Sequence, residues 1–170
     1  MNAGFELFEH TADLGVRVYA ASLPELLAPA TAGFYACIGT LVRVAPPMAQ
    51  PPPAGLEAPD RRASKDPAEG GWATSGAASE LPLAFTDPAP EMLLHDFLSE
   101  LLQLFDARLL MATAVTDIVF APPVLRARVT LAPVDRQRSK LLREVKAVTY
   151  HALEVQFGGD GCTAQFIVDI

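Results

Sequence analysis

The chain is poor in the residues that build several common kinds of site. Its 170 residues include two cysteines, three histidines and one tryptophan. Cys37 and Cys162 stand far apart and form no Cys-x-x-Cys pair. Neither a zinc site nor a disulfide framework is indicated, and both cysteines read as small buried hydrophobes. His10, His95 and His151 fall in no His-Glu-x-x-His arrangement, which excludes a zinc hydrolase of that type. His95, beside Asp96, reads as a surface residue. There is no Gly-x-Ser-x-Gly elbow and no Walker loop. Gly158-Gly159-Asp160-Gly161 is a turn rather than a phosphate cradle, because no helix follows it. With no nucleophile-and-base pair legible, a self-contained enzyme is not expected. No signal peptide is visible, and no apolar run approaches the ~20 residues of a membrane span. A cytoplasmic location without a membrane partner is the consistent expectation. Basic residues are also scarce: 13 Lys and Arg against 20 Asp and Glu give a net charge of −7. Such a chain offers little to a phosphate backbone, so direct nucleic-acid binding is not expected. A cation or a basic protein is the more natural charge complement.

What is present predicts one α+β domain over residues 1–170, two-layered, with a mostly antiparallel sheet and two to three helices. Residues 5–9 and 14–20 alternate as short strands, with His10-Thr11-Ala12-Asp13 as a polar loop between them. Ser22-Leu23-Pro24-Glu25 has capping-box spacing. The helix after it carries Leu26, Leu27, Ala30, Phe34 and Ile38 on one face, with Pro29 expected to strain or shorten it. Residues 46–79 break the pattern. Nineteen of these 34 are Pro, Gly or Ala, and none is Val, Ile or Phe. They read as a flexible insertion that buries too little apolar area to offset its ordering entropy. A strand near 81–85 follows, and Asp87 can cap a helix starting at Pro88. Leu93, Leu94, Phe97, Leu98, Leu101, Leu104 and Phe105 make a long helical stripe. Strands are expected near 110–120 and 124–132. Residues 139–149 suit a helix or a strand. A final hairpin covers about 150–157 and 162–169.

The remaining chemistry is acidic. Asp169 and Ile170 close the chain, and a terminal carboxylate there would lie within one residue of the Asp169 side chain. Two anions that close repel unless a cation, a basic side chain or water separates them. Either a frayed end points its charges at water, or these oxygens hold a hard cation. If the N- and C-terminal strands pair, Asp13 approaches the same point. Asp13 also suits a simple turn in Asp13-Leu14-Gly15. Glu144 and Lys146 could form a surface ion pair of under ~1 kcal/mol.

Four blocks then resemble the archease family: Phe8-Glu9-His10-Thr11-Ala12-Asp13-Leu14-Gly15-Val16; Leu98-Ser99-Glu100-Leu101-Leu102-Gln103-Leu104-Phe105-Asp106; Glu144-Val145-Lys146-Ala147-Val148-Thr149-Tyr150-His151-Ala152-Leu153-Glu154-Val155; and Val168-Asp169-Ile170. They occur in the family's order and span the chain apart from the insertion. The resemblance implies a fold related to the strand-helix-strand-strand (SHS2) module. It implies a metal-binding protein cofactor that activates an RtcB-type, GTP-dependent RNA ligase. That role is to promote guanylylation and multiple turnover in tRNA splicing or RNA repair. It implies a metal site at Asp13, Asp169 and the main-chain oxygen of Ile170, with Ca²⁺ as the ion or Mg²⁺ or Mn²⁺ in its place. Glu9, His10, Asp106, Glu144, Lys146 and His151 match positions connected with ligase activation. Ser139 stands where the family pattern usually has a histidine. Rival readings are a metal-dependent phosphohydrolase or nuclease using the same carboxylates, and a general chaperone or scaffold.

Overall fold

A computed structural model describes residues 3–10, 13–45, 79–159 and 161–170. The elements are β1 (Gly4–His10), β2 (Asp13–Ala20), α1 (Leu23–Ile38), β3 (Gly39–Thr40), β4 (Ser79–Thr86), α2 (Pro90–Arg108), β5 (Leu110–Ala121), β6 (Val124–Pro133), β7 (Lys140–Leu141), β8 (Ala147–Gly158) and β9 (Gly161–Asp169). The flexible insertion read over 46–79 lies outside the described residues, except that Ser79 opens β4.

The architecture is α+β with two helices, and every described strand pair is antiparallel. The strands divide over a four-stranded sheet (β1-β2-β9-β8), a three-stranded sheet (β4-β6-β5) and a two-residue ladder (β3-β7). Period-two alternation explains the central pair of the larger sheet. Leu14, Val16, Val18 and Ala20 of β2 are buried, as are Cys162, Ala164, Phe166 and Val168 of β9. Both helices pack against both larger sheets: α1 on β1, β2, β9 and β5, and α2 on β8, β4, β5 and β6. The apolar stripe of each helix is buried as its spacing predicts. Phe34, Phe97 and Phe166 are fully enclosed, each stabilising the fold by about 1.5–3 kcal/mol through burial. Among the described residues no helix is long and apolar enough to cross a membrane.

Several local expectations are corrected. Asp13 begins β2 and pairs in register with His10, so strand pairing reaches into the expected loop. Helix α1 runs unbroken through Pro29. Leu26, Leu27, Ala30 and Phe34 around it are all buried, and that packing outweighs a local penalty of ~3 kcal/mol. The Ser22 hydroxyl donates to Glu25 Oε1 (2.9 Å) instead of capping a backbone N–H. Helix α2 starts at Pro90, not Pro88. Asp87 Oδ1 accepts the Ala89 N–H (2.8 Å), an Asx turn that places the proline where no N–H is needed. Residues 142–146 are neither helix nor strand. Their main-chain N–H groups are claimed elsewhere: Leu142 and Arg143 donate to Ile38 O, and Lys146 donates to Asp169 O. His95 is buried rather than on the surface. Its Nε2 lies 3.1 Å from Val148 O and its Nδ1 3.2 Å from Asp96 Oδ1.

Candidate functional site

The site grows from the face of the larger sheet that the helices leave uncovered. Alternation turns Glu6, Phe8 and His10 of β1 to this face, together with Asp13, Gly15 and Arg17 of β2 and Gln165, Ile167 and Asp169 of β9. Strand register sorts them into rows. In the first row Glu6 is paired with Arg17 and Arg17 with Gln165. Arg17 donates to Glu6 Oε1 (2.7 Å) and Gln165 Oε1 (3.2 Å). In the second row Phe8 faces Gly15, Gly15 faces Ile167, and Ile167 faces Thr149. The Phe8 ring fills the space a side chain at position 15 would need.

The third row holds the acids. His10 pairs with Asp13, and Asp169 pairs with Ala147. Leu14 pairs with Val168, so one further step of that antiparallel register sets Asp13 opposite Asp169. Directly opposed residues have Cβ atoms ~4.5–5.5 Å apart, and like charges there are destabilising. A counter-charge is present. Lys146 Nζ donates to the main-chain oxygen of Ile170 (3.0 Å) and lies 4.0 Å from Asp169 Oδ1. The Lys146 N–H also donates to Asp169 O (2.8 Å), which docks the 142–146 segment on the end of β9.

The other named residues are split between two neighbourhoods. The β8–β9 register slips between Thr149 and Glu154, and Ala152 has φ 49°. This bulge sets the His151 ring 5.1 Å from that of His10, although β1 and β8 are opposite edges of the sheet. His10 Nδ1 and Thr149 Oγ1 are buried without a hydrogen-bond partner among the described residues. Tyr150, also in the bulge, stacks on His95 with centroids 4.1 Å apart. Asp106 and Glu144 lie elsewhere, on a hollow of about 380 Å³ with Ile38, Phe105, Leu142 and Val145 in its wall. Burial, then the charge of Glu144, raise the Asp106 carboxyl above its ordinary range. The pair considered between Glu144 and Lys146 is therefore replaced by two others, Glu144 beside Asp106 and Lys146 beside Asp169. Glu9 is exposed and, by alternation, on the face without Asp13 and Asp169. Ser139 bonds Val42 through both its functions: Oγ accepts the Val42 N–H (2.8 Å) and donates to Val42 O (3.3 Å).

Among the described residues no three His, Cys, Asp or Glu side chains are grouped to hold a metal ion. The donor set at the sheet end is of another kind, two carboxylates and a main-chain oxygen. All are hard oxygens, the donor class of Ca²⁺ and Mg²⁺. The chemistry therefore fits such an ion, with most of a roughly six- to eight-membered Ca²⁺ shell left to water or a partner.

Fold and site together define a small antiparallel α+β protein with an acidic, lysine-capped sheet end. The sequence pattern of the archease protein family matches residues 5–62 and 73–170, and the chain belongs to that family. Two solved structures share the fold. One is the solution structure of protein 1598 from Methanobacterium thermoautotrophicum, with TM-score 0.60 and 24% identity, covering 98% of this chain and 99% of that one. The other is a crystal structure from Thermotoga maritima described as an archease and possible chaperone, with TM-score 0.59 and 16% identity, covering 97% and 96%. Among curated proteins no relative matches significantly.

Proposed function

We propose that this chain is a metal-binding protein cofactor that activates a GTP-dependent, RtcB-type RNA ligase. It acts by protein–protein contact in the cytoplasm, promoting ligase guanylylation and multiple turnover in tRNA splicing or RNA repair. Family membership supports this reading. The observation that carries it is the meeting of Asp13, Asp169, the Ile170 main-chain oxygen and Lys146 at one sheet end, drawn from three of the four blocks that resemble the family. Asp13, Asp169 and the Ile170 oxygen would hold the ion, Ca²⁺ or in its place Mg²⁺ or Mn²⁺. A divalent ion there would supply fixed positive charge at an acidic surface. The net charge of −7 favours contact with the protein ligase over contact with its RNA.

The test is RNA ligation by the cognate ligase at substrate excess, with and without this protein. Product should rise beyond one equivalent per ligase only when it is added. Unchanged turnover would sink the proposal. A second reading is a chaperone, the role suggested in the description of the Thermotoga maritima protein. It expects protection of ligase and unrelated clients from aggregation, with no effect on folded ligase.

A further inference from the structure

One oxygen at the sheet end has two claimants. The Ile170 main-chain oxygen belongs to the proposed ion site, and it accepts the Lys146 ammonium at 3.0 Å. Asp169 Oδ1, another donor of that site, is 4.0 Å from the same nitrogen. An ammonium and a divalent cation sharing these oxygens would repel strongly. The Lys146 side chain is 58% exposed, so polar contacts rather than packing hold its head in place. Its flexible stem lets the head leave for water at little cost. The Lys146 main-chain bond to Asp169 O does not involve the side chain, so the segment stays docked wherever the ammonium goes.

We propose that Lys146 is a built-in competitor for the ion site: ammonium and divalent ion take the same oxygens in turn, and ion uptake ejects the Lys146 head toward solvent. The proposal rests on the ion-site reading above. It gives the sheet end two faces. In one, an internal ion pair closes it; in the other, the ion neutralises the acids and Lys146 points outward as a free cation. The coupling is reciprocal, so whatever draws Lys146 outward tightens ion binding by the same factor.

Two measurements on the full chain test this. Calorimetric Ca²⁺ titration compares the wild type with Lys146→Met and, as a control of equal charge change at an exposed lysine, Lys140→Met. Lys146→Met should lower the Kd at least ~5-fold, the small end of typical site coupling, whereas Lys140→Met leaves it near wild type. The second measurement is acylation of the wild type by an amine-reactive reagent, read by mass spectrometry at its three lysines, Lys65, Lys140 and Lys146. Adding Ca²⁺ should raise labelling of Lys146 relative to the other two. Wild-type Ca²⁺ binding with no tightening in Lys146→Met, or with unchanged or reduced Lys146 labelling, would overturn the exchange while leaving the ion site standing. Absence of binding of Ca²⁺, Mg²⁺ and Mn²⁺ alike, in wild type and variant, would overturn both. Wild-type labelling decides the matter even where the variant folds poorly.

Discussion

Replacing Gly15 with alanine drives a methyl group into the ring of Phe8. The added Cβ would lie 2.6 Å from Phe8 Cε1 and closer still to Cζ and Cε2, nearer than real Cβ atoms come to their neighbours. Strand β2 is held between β1 and β9, so the ring yields rather than the backbone. Swinging it out forfeits roughly half the burial of a Phe, about 1–1.5 kcal/mol. It also loses the contact with the Arg17 guanidinium, 5.3 Å from the ring centroid and worth about 0.5–1 kcal/mol. The stiffer unfolded chain returns about 0.4–1 kcal/mol. Gly15→Ala should therefore destabilise the protein by about 1 kcal/mol, seen as a lower urea midpoint at unchanged slope. In a Phe8→Ala background the clash is gone, and the same substitution should be neutral or slightly stabilising. The double-mutant cycle should then give a coupling of about 1–2 kcal/mol. Equal costs of Gly15→Ala in the two backgrounds would refute the packing argument.

Other outcomes follow from the core and the second acidic pair. Burial lifts the Cys37 thiol from 9.0 to about 12 against the opposing charge of Arg143, and lifts the Tyr35 hydroxyl from 10.0 to about 12 against its bond from the Ala112 N–H. Both raised groups contribute stability that is full below their unfolded values and lost as pH climbs to about 12. Urea titrations should show that loss begin near pH 9, reaching on the order of a few kcal/mol; in Cys37→Ala it should begin near pH 10, and an unchanged profile would contradict the assignment. Glu144→Gln removes one of the two causes that raise Asp106, so the Asp106 midpoint followed by NMR should fall while staying above the ordinary carboxyl value. An unmoved midpoint would separate the two acids. Phe97→Ala in the closed core should lower stability by about 3–5 kcal/mol in the same urea assay.

What was legible in the sequence was whatever has a local period. The stripes of α1 and α2, the alternation of β2 and β9, and the hairpin turn at Gly158 to Gly161 all read directly. The approach of Asp13 to Asp169 was legible only conditionally, because register is a property of two strands, and the strand that pairs with β9 is the second, β2, rather than the first, β1, which lies at the sheet edge. Positions fixed by distant partners were not legible. Residues 142–146 carry no usable period, and their course is set by Ile38 O and Asp169 O from elsewhere in the chain. Glu144 and Lys146, two apart in that segment, therefore face different neighbours, Asp106 and the end of β9. The bulge after Thr149 slips the β8–β9 register and swings His151 to His10, which no alternation within β8 announces. His95 misled because its neighbour Asp96 is charged; Val148 O and the Tyr150 ring, both on β8, bury it.

The most direct test of the central claim is ligation at substrate excess with cognate ligase and either wild-type protein or the folded Asp13→Asn, Asp169→Asn double variant. The sheet-end site predicts several products per ligase with the wild type and no more than the unassisted level with the double variant. Equal stimulation by both proteins would contradict the account.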